Sequence, residues 1–353
     1  MLASLAIDHF RCISAAEIQF DSRVTAIHGP NASGKTSLLE AIFFLSHGRS
    51  FRSPVRSELI SGGADRLRLV SSLRDADVNT VAGLEFDGTQ LQLRLAGQAA
   101  AAWQLARALP VQVIDPSVHR ILEEGSARRR RLIDWGVFHV KPHFLDSWRR
   151  YQRVLAQRNA LLQKSASDTE LSVWDSALVN AAAPVHLDRL SYIELLTPRF
   201  ERLGTELLSR PVTLRYRSGW TSDTEFSVAF AASRVRERRQ RTTIVGPHRS
   251  DVSIAVDGTA AKKHVSRGQQ KLLASALILA QIELRAETAP SPVCLLLDDP
   301  AAELDQDNLG KLLRVIERMP AQIVVTSLVE PTFTQLPVGR SFHVEQGKFR
   351  QVI

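Results

Sequence analysis

Two cysteines in 353 residues are too few for a disulfide framework. Cys12 and Cys294 each lie in an apolar-rich segment with no second Cys or His at ligand spacing, which argues against a zinc site and makes both expected core thiols. No apolar run approaches the ~20 residues of a bilayer-spanning helix, and no basic segment leads into an apolar signal core, so no membrane partner is expected and the chain is placed in the cytoplasm. Internal repeats and low-complexity tracts are likewise absent. What remains, 44% hydrophobic and 23% charged residues, is the composition of a globular protein with a sizeable core, in one large or two ordinary domains.

The net charge of +8 admits an anionic partner, and its location says more than its total. Residues 120–158 hold ten Lys/Arg against four Asp/Glu and residues 234–249 hold six against one, so these two stretches carry +11 while the rest sums to −3. Arg128, Arg129, Arg130 and Arg131, with Arg238, Arg239 and Arg241, read as phosphate-contacting patches. The competing reading is a pair of solvated helix faces.

Residues 24–28 are a β-branched apolar run that delivers the chain into Gly29, Pro30, Asn31, Ala32, Ser33, Gly34, Lys35 and Thr36, which fits G-x-x-x-x-G-K-[ST] at every defined position. Glycine lets such a loop turn its N–H groups inward, and the helix starting near Lys35 adds its positive dipole end. A nucleoside triphosphate such as ATP fits there: Lys35 would reach its β- and γ-phosphates, the Thr36 hydroxyl would ligate Mg²⁺, and Ser37 would continue the phosphate contact into the helix.

Before this loop, residues 5–10 and 17–20 read as strands, with Arg11 placed to reach a base or a phosphate. After its helix, residues 47–53 (His-Gly-Arg-Ser-Phe-Arg-Ser) are too polar for a core element and read as a functional loop. Residues 67–96 alternate around Asp87-Gly88 as an antiparallel meander, and 111–114 form another strand. From 117 to 210 the periodicity is helical, with breaks expected at Pro184 and Pro198 and with Trp148 and Trp174 in the core. The expected organisation is therefore an N-terminal part (1–116), an inserted helical arm (117–210) and a C-terminal part (211–353). In the last part, residues 244–251 form a turn in which His248 is either structural or close to phosphate.

Two further segments bear on the P-loop. Ser266, Gly268 and Gln269 open an apolar helix and offer a hydroxyl and accessible N–H groups to a phosphate, although an ordinary helix cap would read the same way. Residues 293–297 are an apolar strand ending in Asp298 and Asp299, as in a Walker B strand, where the first acid holds Mg²⁺ and the second polarises the attacking water. Chance pairing is the alternative; paired carboxylates at such a place favour a nearby cation because burying them alone costs several kcal/mol. Glu303 follows in an acidic loop, and residues 323–327 end in Thr326 and Ser327, hydroxyls suited to sensing a γ-phosphate.

With this motif order, the 47–53 loop, the turn at 246–251, the Ser266 segment, the Asp298 strand and a helical arm where related ATPases carry a coiled coil, nearly the whole chain resembles the RecF family of bacterial recombination mediators. That resemblance implies an α/β ABC/SMC-type P-loop ATPase head with mixed and antiparallel sheets and an inserted helical arm. It implies an ATP-dependent homodimer in which Ser266, Gly268 and Gln269 of one subunit complete the nucleotide site of the other. It also implies weak DNA-dependent ATPase activity, gapped or junction DNA as ligand, RecO and RecR as partners in bringing RecA onto strands coated by SSB, and ties to replication and the SOS response. The alternatives are an ATP-gated DNA clamp without significant turnover and, further off, a transporter ATPase subunit, which the arginine-rich arm does not suit.

Overall fold

The computed structural model describes residues 1–75, 78–221, 223–289, 291–329 and 336–352. The chain divides into two units, residues 1–118 with 286–353, and residues 119–285. The first begins with β1 (Leu2–Phe10), β2 (Ile13–Gln19), β3 (Val24–His28), α1 (Lys35–His47), β4 (Leu67–Asp75), β5 (Val78–Phe86), β6 (Leu91–Leu95), β7 (Gln98–Ala99), α2 (Ala102–Ala108) and β8 (Val111–Ile114). The second holds α3 (Arg120–Glu123), α4 (Ser126–Val140), α5 (Phe144–Gln163), α6 (Asp168–Leu208), β9 (Val212–Arg217), α7 (Phe226–Gln240), β10 (Asp251–Val256), β11 (Thr259–Ala260), α8 (Ala261–His264) and α9 (Arg267–Ala286). The chain returns to the first unit with β12 (Val293–Leu297), α10 (Gln306–Glu317), β13 (Ala321–Ser327), β14 (Arg340–Glu345) and β15 (Lys348–Gln351).

Every residue of β3, β12 and β13 is buried, the mark of strands covered on both faces, and they lie side by side in a sheet ordered β15-β14-β3-β13-β12-β8 that is parallel except at β14–β15. The N-terminal strands alternate in burial instead and form an antiparallel sheet, β2-β1-β4-β5-β6-β7. Leu38, Leu39, Ile42 and Phe44 of α1 join both sheets in one core with Leu5, Leu69, Leu296 and Val324. Each such side chain contributes about 1.5–3 kcal/mol by leaving water, so α1, and the loop ahead of it, is fixed on two sides.

The second unit differs from expectation in two respects. The helix break expected at Pro184 and Pro198 does not occur: α6 runs 41 residues through both. Each proline removes one helical bond, but Ala181, Ala182, Val185, Leu196 and Phe200 on either side are buried, and that packing carries the helix through. The boundary expected after 210 falls inside this unit, because β9 pairs with β10 and packs beside α6. In the first unit, β2 starts at Ile13 rather than at 17. Cys12 is exposed, contrary to its expected burial, because it sits in the turn between β1 and β2 where Arg11 takes a φ of 55°; Cys294 is buried, and burial pushes its thiol up to about 12.

Candidate functional site

Parallel strands end at one edge of a sheet, and four of these ends supply the site: β3 leads into the P-loop, β12 into Asp298 and Asp299, β13 ends at Thr326 and Ser327, and β8 precedes Asp115. In open α/β sheets ligands bind at the carboxyl ends of strands. The loop is shaped by its glycines. A Cβ on Gly29 would lie 2.1 Å from the Val344 carbonyl oxygen, and Gly34 takes a φ of 118° as it opens α1. The turn after β14 anchors the loop from below, since the Gly347 N–H donates to the Ser33 carbonyl at 2.7 Å.

The Lys35 ammonium donates to the Gly29 and Pro30 carbonyls, both at 2.7 Å, so the cation lies folded along its own loop. Burial lowers its pKa, and the charges of Asp299 and Asp298 work against that, which puts both acids within electrostatic reach of the lysine. The Thr36 hydroxyl donates to both oxygens of Asp298, at 2.9 and 3.0 Å, and Thr326 donates to the same carboxylate at 2.9 Å. Burial raises the pKa of Asp298 in spite of these two hydroxyls, and Asp115 adds to the rise. Asp299 is half-buried in a strained φ of 44°, its N–H donating to Thr326 Oγ1 at 3.0 Å.

These residues fit a phosphate chain with Mg²⁺. Among the described residues the buried Ser33 hydroxyl has no hydrogen-bond partner, the first N–H groups of α1 have no helical acceptor, and Thr36 with Asp298 is one hydroxyl and one carboxylate, the small donor set with which Mg²⁺ is held beside substrate phosphates. Pro30, Asn31 and Ala32 are exposed at the rim, whereas Gly29, Ser33, Gly34, Lys35 and Ser37 are buried.

One contributor escaped the sequence reading. Glu40 on α1 is fully buried and receives Arg11 through two bonds of 2.9 and 3.0 Å, with Arg52 at 3.6 Å and the Ser50 hydroxyl also on it. Arg11 and the 47–53 loop are thereby tied to the P-loop helix, and they wall an open cleft of about 750 Å³ with Cys12, Ser37 and Val55. A single acid among the apolar residues of α1 was the available signal.

The other expected site residues lie in the second unit. Ser266 is exposed and caps α9: its hydroxyl accepts from the Gln269 N–H at 3.3 Å and its own N–H donates to Gln269 Oε1 at 3.0 Å, with Gly268 in the first turn. Of the seven arginines expected on phosphates, four are engaged within the unit. Arg129 forks onto Asp251 at 2.7 and 2.9 Å, Arg130 donates to the Ser250 carbonyl and the Ser126 hydroxyl, Arg238 pairs with Asp168 at 2.7 Å, and Arg128 pairs with Glu124 one turn away. Arg131, Arg239 and Arg241 are exposed. His248 accepts from the Tyr151 hydroxyl at 2.6 Å and donates from Nε2 to the Thr243 carbonyl at 3.0 Å, which is a structural tie. Trp148 lies under the Arg189 guanidinium at 5.0 Å.

Residues 1–348 match the family model described as RecF/RecN/SMC N terminal domain. The DNA replication and repair protein RecF of Vibrio vulnificus (strain CMCP6) is 36% identical over 357 residues, covering 99% of each chain. The chain belongs to the RecF family. A second member, from Hydrogenovibrio crunogenus, is 37% identical over 330 residues, covering 92% of this chain and 91% of its own. Among solved structures, the recombination mediator protein RecF-ATP of the RecFOR pathway superposes with a TM-score of 0.88 at 24% identity, over 100% of this chain and 97% of that one. An SMC head bound to the C-winged helix domain of ScpA superposes at 0.64 and 16% identity, covering 100% of this chain and 97% of that one, which extends the shared ATPase-head fold beyond RecF.

Proposed function

We propose that the chain is a cytoplasmic, ATP-dependent DNA-binding protein of recombinational repair. In this reading it dimerises on binding ATP, grips gapped or junction DNA, hydrolyses ATP slowly, and works with RecO and RecR to bring RecA onto single strands coated by SSB. The observation that carries the nucleotide part is the Thr36 hydroxyl set on the Asp298 carboxylate beside Lys35. The DNA part is supported by the exposed Arg131, Arg239 and Arg241 in a basic unit, and by the names of the relatives.

In the chemistry this implies, Lys35 leaves the Gly29 and Pro30 carbonyls for the β- and γ-phosphates, while the first N–H groups of α1 and the Ser33 hydroxyl bind the same chain. Thr36 and Asp298 would hold Mg²⁺, which neutralises charge on the phosphates. Asp299 orients the attacking water and receives its proton, and Thr326 keeps both acids in place. Ser266, Gly268 and Gln269 of a partner subunit close the site over the γ-phosphate, so a monomer binds ATP and turns it over poorly.

Phosphate release with and without gapped DNA, for the parent and Lys35→Ala, tests the reading. Release that needs Lys35 and rises with DNA is expected. ATP-dependent DNA retention with no release above background would replace the ATPase with a non-hydrolysing clamp.

A further inference from the structure

Val228 and Val235 of α7 are 58% and 66% exposed and stand two turns apart on one line of the helix. Ala231 and Ala232, also exposed, lie between them. The opposite line, Phe230, Ser233 and Glu237, is buried, with Glu237 held by Arg158. α7 therefore turns an apolar Val-Ala-Ala-Val stripe away from its own unit, where an ordinary surface helix presents polar residues.

The charges along this stripe are polarised. Glu225 is exposed at the N-terminal end; Arg236, Arg239 and Arg241 are exposed at the other. Arg234 and Arg238, by contrast, are turned onto Asp168 and Asp175 of α6. At 100° per residue Glu225 and Arg236 fall within about 20° of each other, on one flank of the stripe.

We infer that this face of α7 is a contact with α7 of a second copy of the chain, the two helices antiparallel across a two-fold axis between Ala231 and Ala232. Antiparallel pairing sets Val228 against the partner's Val235 and brings Glu225 beside the partner's Arg236 twice over, once on each side of the axis. Parallel pairing would set arginine against arginine. The alanines at the centre let the helices approach closely. DNA phosphates can take Arg239 and Arg241 at the C-terminal end of the helix but would leave the valines in water and repel Glu225, so they do not cover the stripe; an acidic segment of another protein would also repel Glu225. A second copy complements the whole length. One helix pair buries less than the roughly 1,200 Å² of a stable interface, so the contact is transient and gains when copies crowd on one DNA molecule. Only that crowding rests on the proposed function; the contact itself needs no nucleotide.

Cross-linking of the full chain without nucleotide tests this, in a Cys12→Ser background that removes the exposed thiol. Ala232→Cys, beside the axis, is expected to form a disulfide with its own copy. A mixture of Val228→Cys and Val235→Cys is expected to form the mixed disulfide, while Val235→Cys alone stays reduced because its two copies lie about 10 Å apart along the helices. Arg236→Glu is expected to lower the Ala232→Cys yield about fivefold, and Glu225→Arg added to it to restore the yield. The absence of any cross-link, self-linking of Val235→Cys equal to the mixed pair, or indifference to the charge swap would overturn the inference and leave the face to DNA or another protein. Lys35→Ala should not alter the yield, so failure of the ATP reading and failure of this contact are separable.

Discussion

The Thr36 hydroxyl donates to both carboxylate oxygens of Asp298, 262 positions later in the chain. A strand-loop-helix and a distant apolar strand have thus been brought to one point, and among the described residues the buried carboxylate there accepts hydrogen bonds from side-chain hydroxyls alone. Asp298→Asn is expected to raise the melting temperature of the nucleotide-free protein at neutral pH and to abolish the added stability from Mg²⁺ with ATP. Burial raises the carboxyl pKa, so its charged form opposes folding, an effect absent at low pH and growing as pH rises through the folded-state pKa. Differential scanning with and without Mg²⁺-ATP reads both effects; a destabilised apo protein would place the cost elsewhere.

Lys35→Ala should lose nucleotide-dependent behaviour while keeping its fold, since among the described residues the ammonium donates to the Gly29 and Pro30 carbonyls of its own loop alone. Asp299→Asn should behave oppositely, retaining ATP binding and dimer while slowing turnover, because a residue that positions water acts on the transition state. Nucleotide titration and single-turnover hydrolysis separate the two. Parental turnover in the Asp299 variant would move the catalytic carboxylate to the Glu303 loop.

Charge reversal at Arg131, Arg239 and Arg241 should weaken DNA binding at every sequence alike and lower the slope of log K against log salt by roughly 0.9 per lost contact on duplex DNA. Arg129→Glu should act differently, destabilising the second unit by about 2 kcal/mol because Asp251 loses its fork. An unchanged salt slope in the triple variant would leave these arginines as solvated surface.

His248 supplies a pH test of the second unit. Burial lowers its pKa from the ordinary 6.5 to about 4, outweighing the bond to the Thr243 carbonyl, which favours the charged ring, and the charges of Arg249, Arg130 and Arg189 add to the lowering. Its folded-state pKa is depressed, so its contribution is fully present above pH 6.5 and is lost as pH falls through about 4. His248→Asn should flatten the melting temperature over that window; an equal acid slope in the variant would assign the loss to other groups.

The P-loop, the Asp298 strand and the helical character of the second unit were legible because each is written locally, in a motif or a period. The arginines were not. Four of seven pair within the unit, and the partners of Arg129, Arg130 and Arg238, which are Asp251, the Ser250 carbonyl and Asp168, lie so far along the chain that no local spacing discloses them. Pro184 and Pro198 misled for a related reason: local propensity argues for a break, and the packing that overrides it belongs to α5 and the rest of the unit. Glu40 was passed over because its partners Arg11 and Arg52 come from loops on either side of α1.

ATP hydrolysis by a mixture of Ser266→Arg and Lys35→Ala, each inactive alone, tests the account most directly. A dimer of one of each has one intact site, the P-loop of the first closed by the Ser266 segment of the second. Recovery of up to about half of the parental activity per mixed dimer is expected if two sites are completed in trans. Full activity in Ser266→Arg by itself would contradict the account and leave Ser266 as nothing more than the cap of α9.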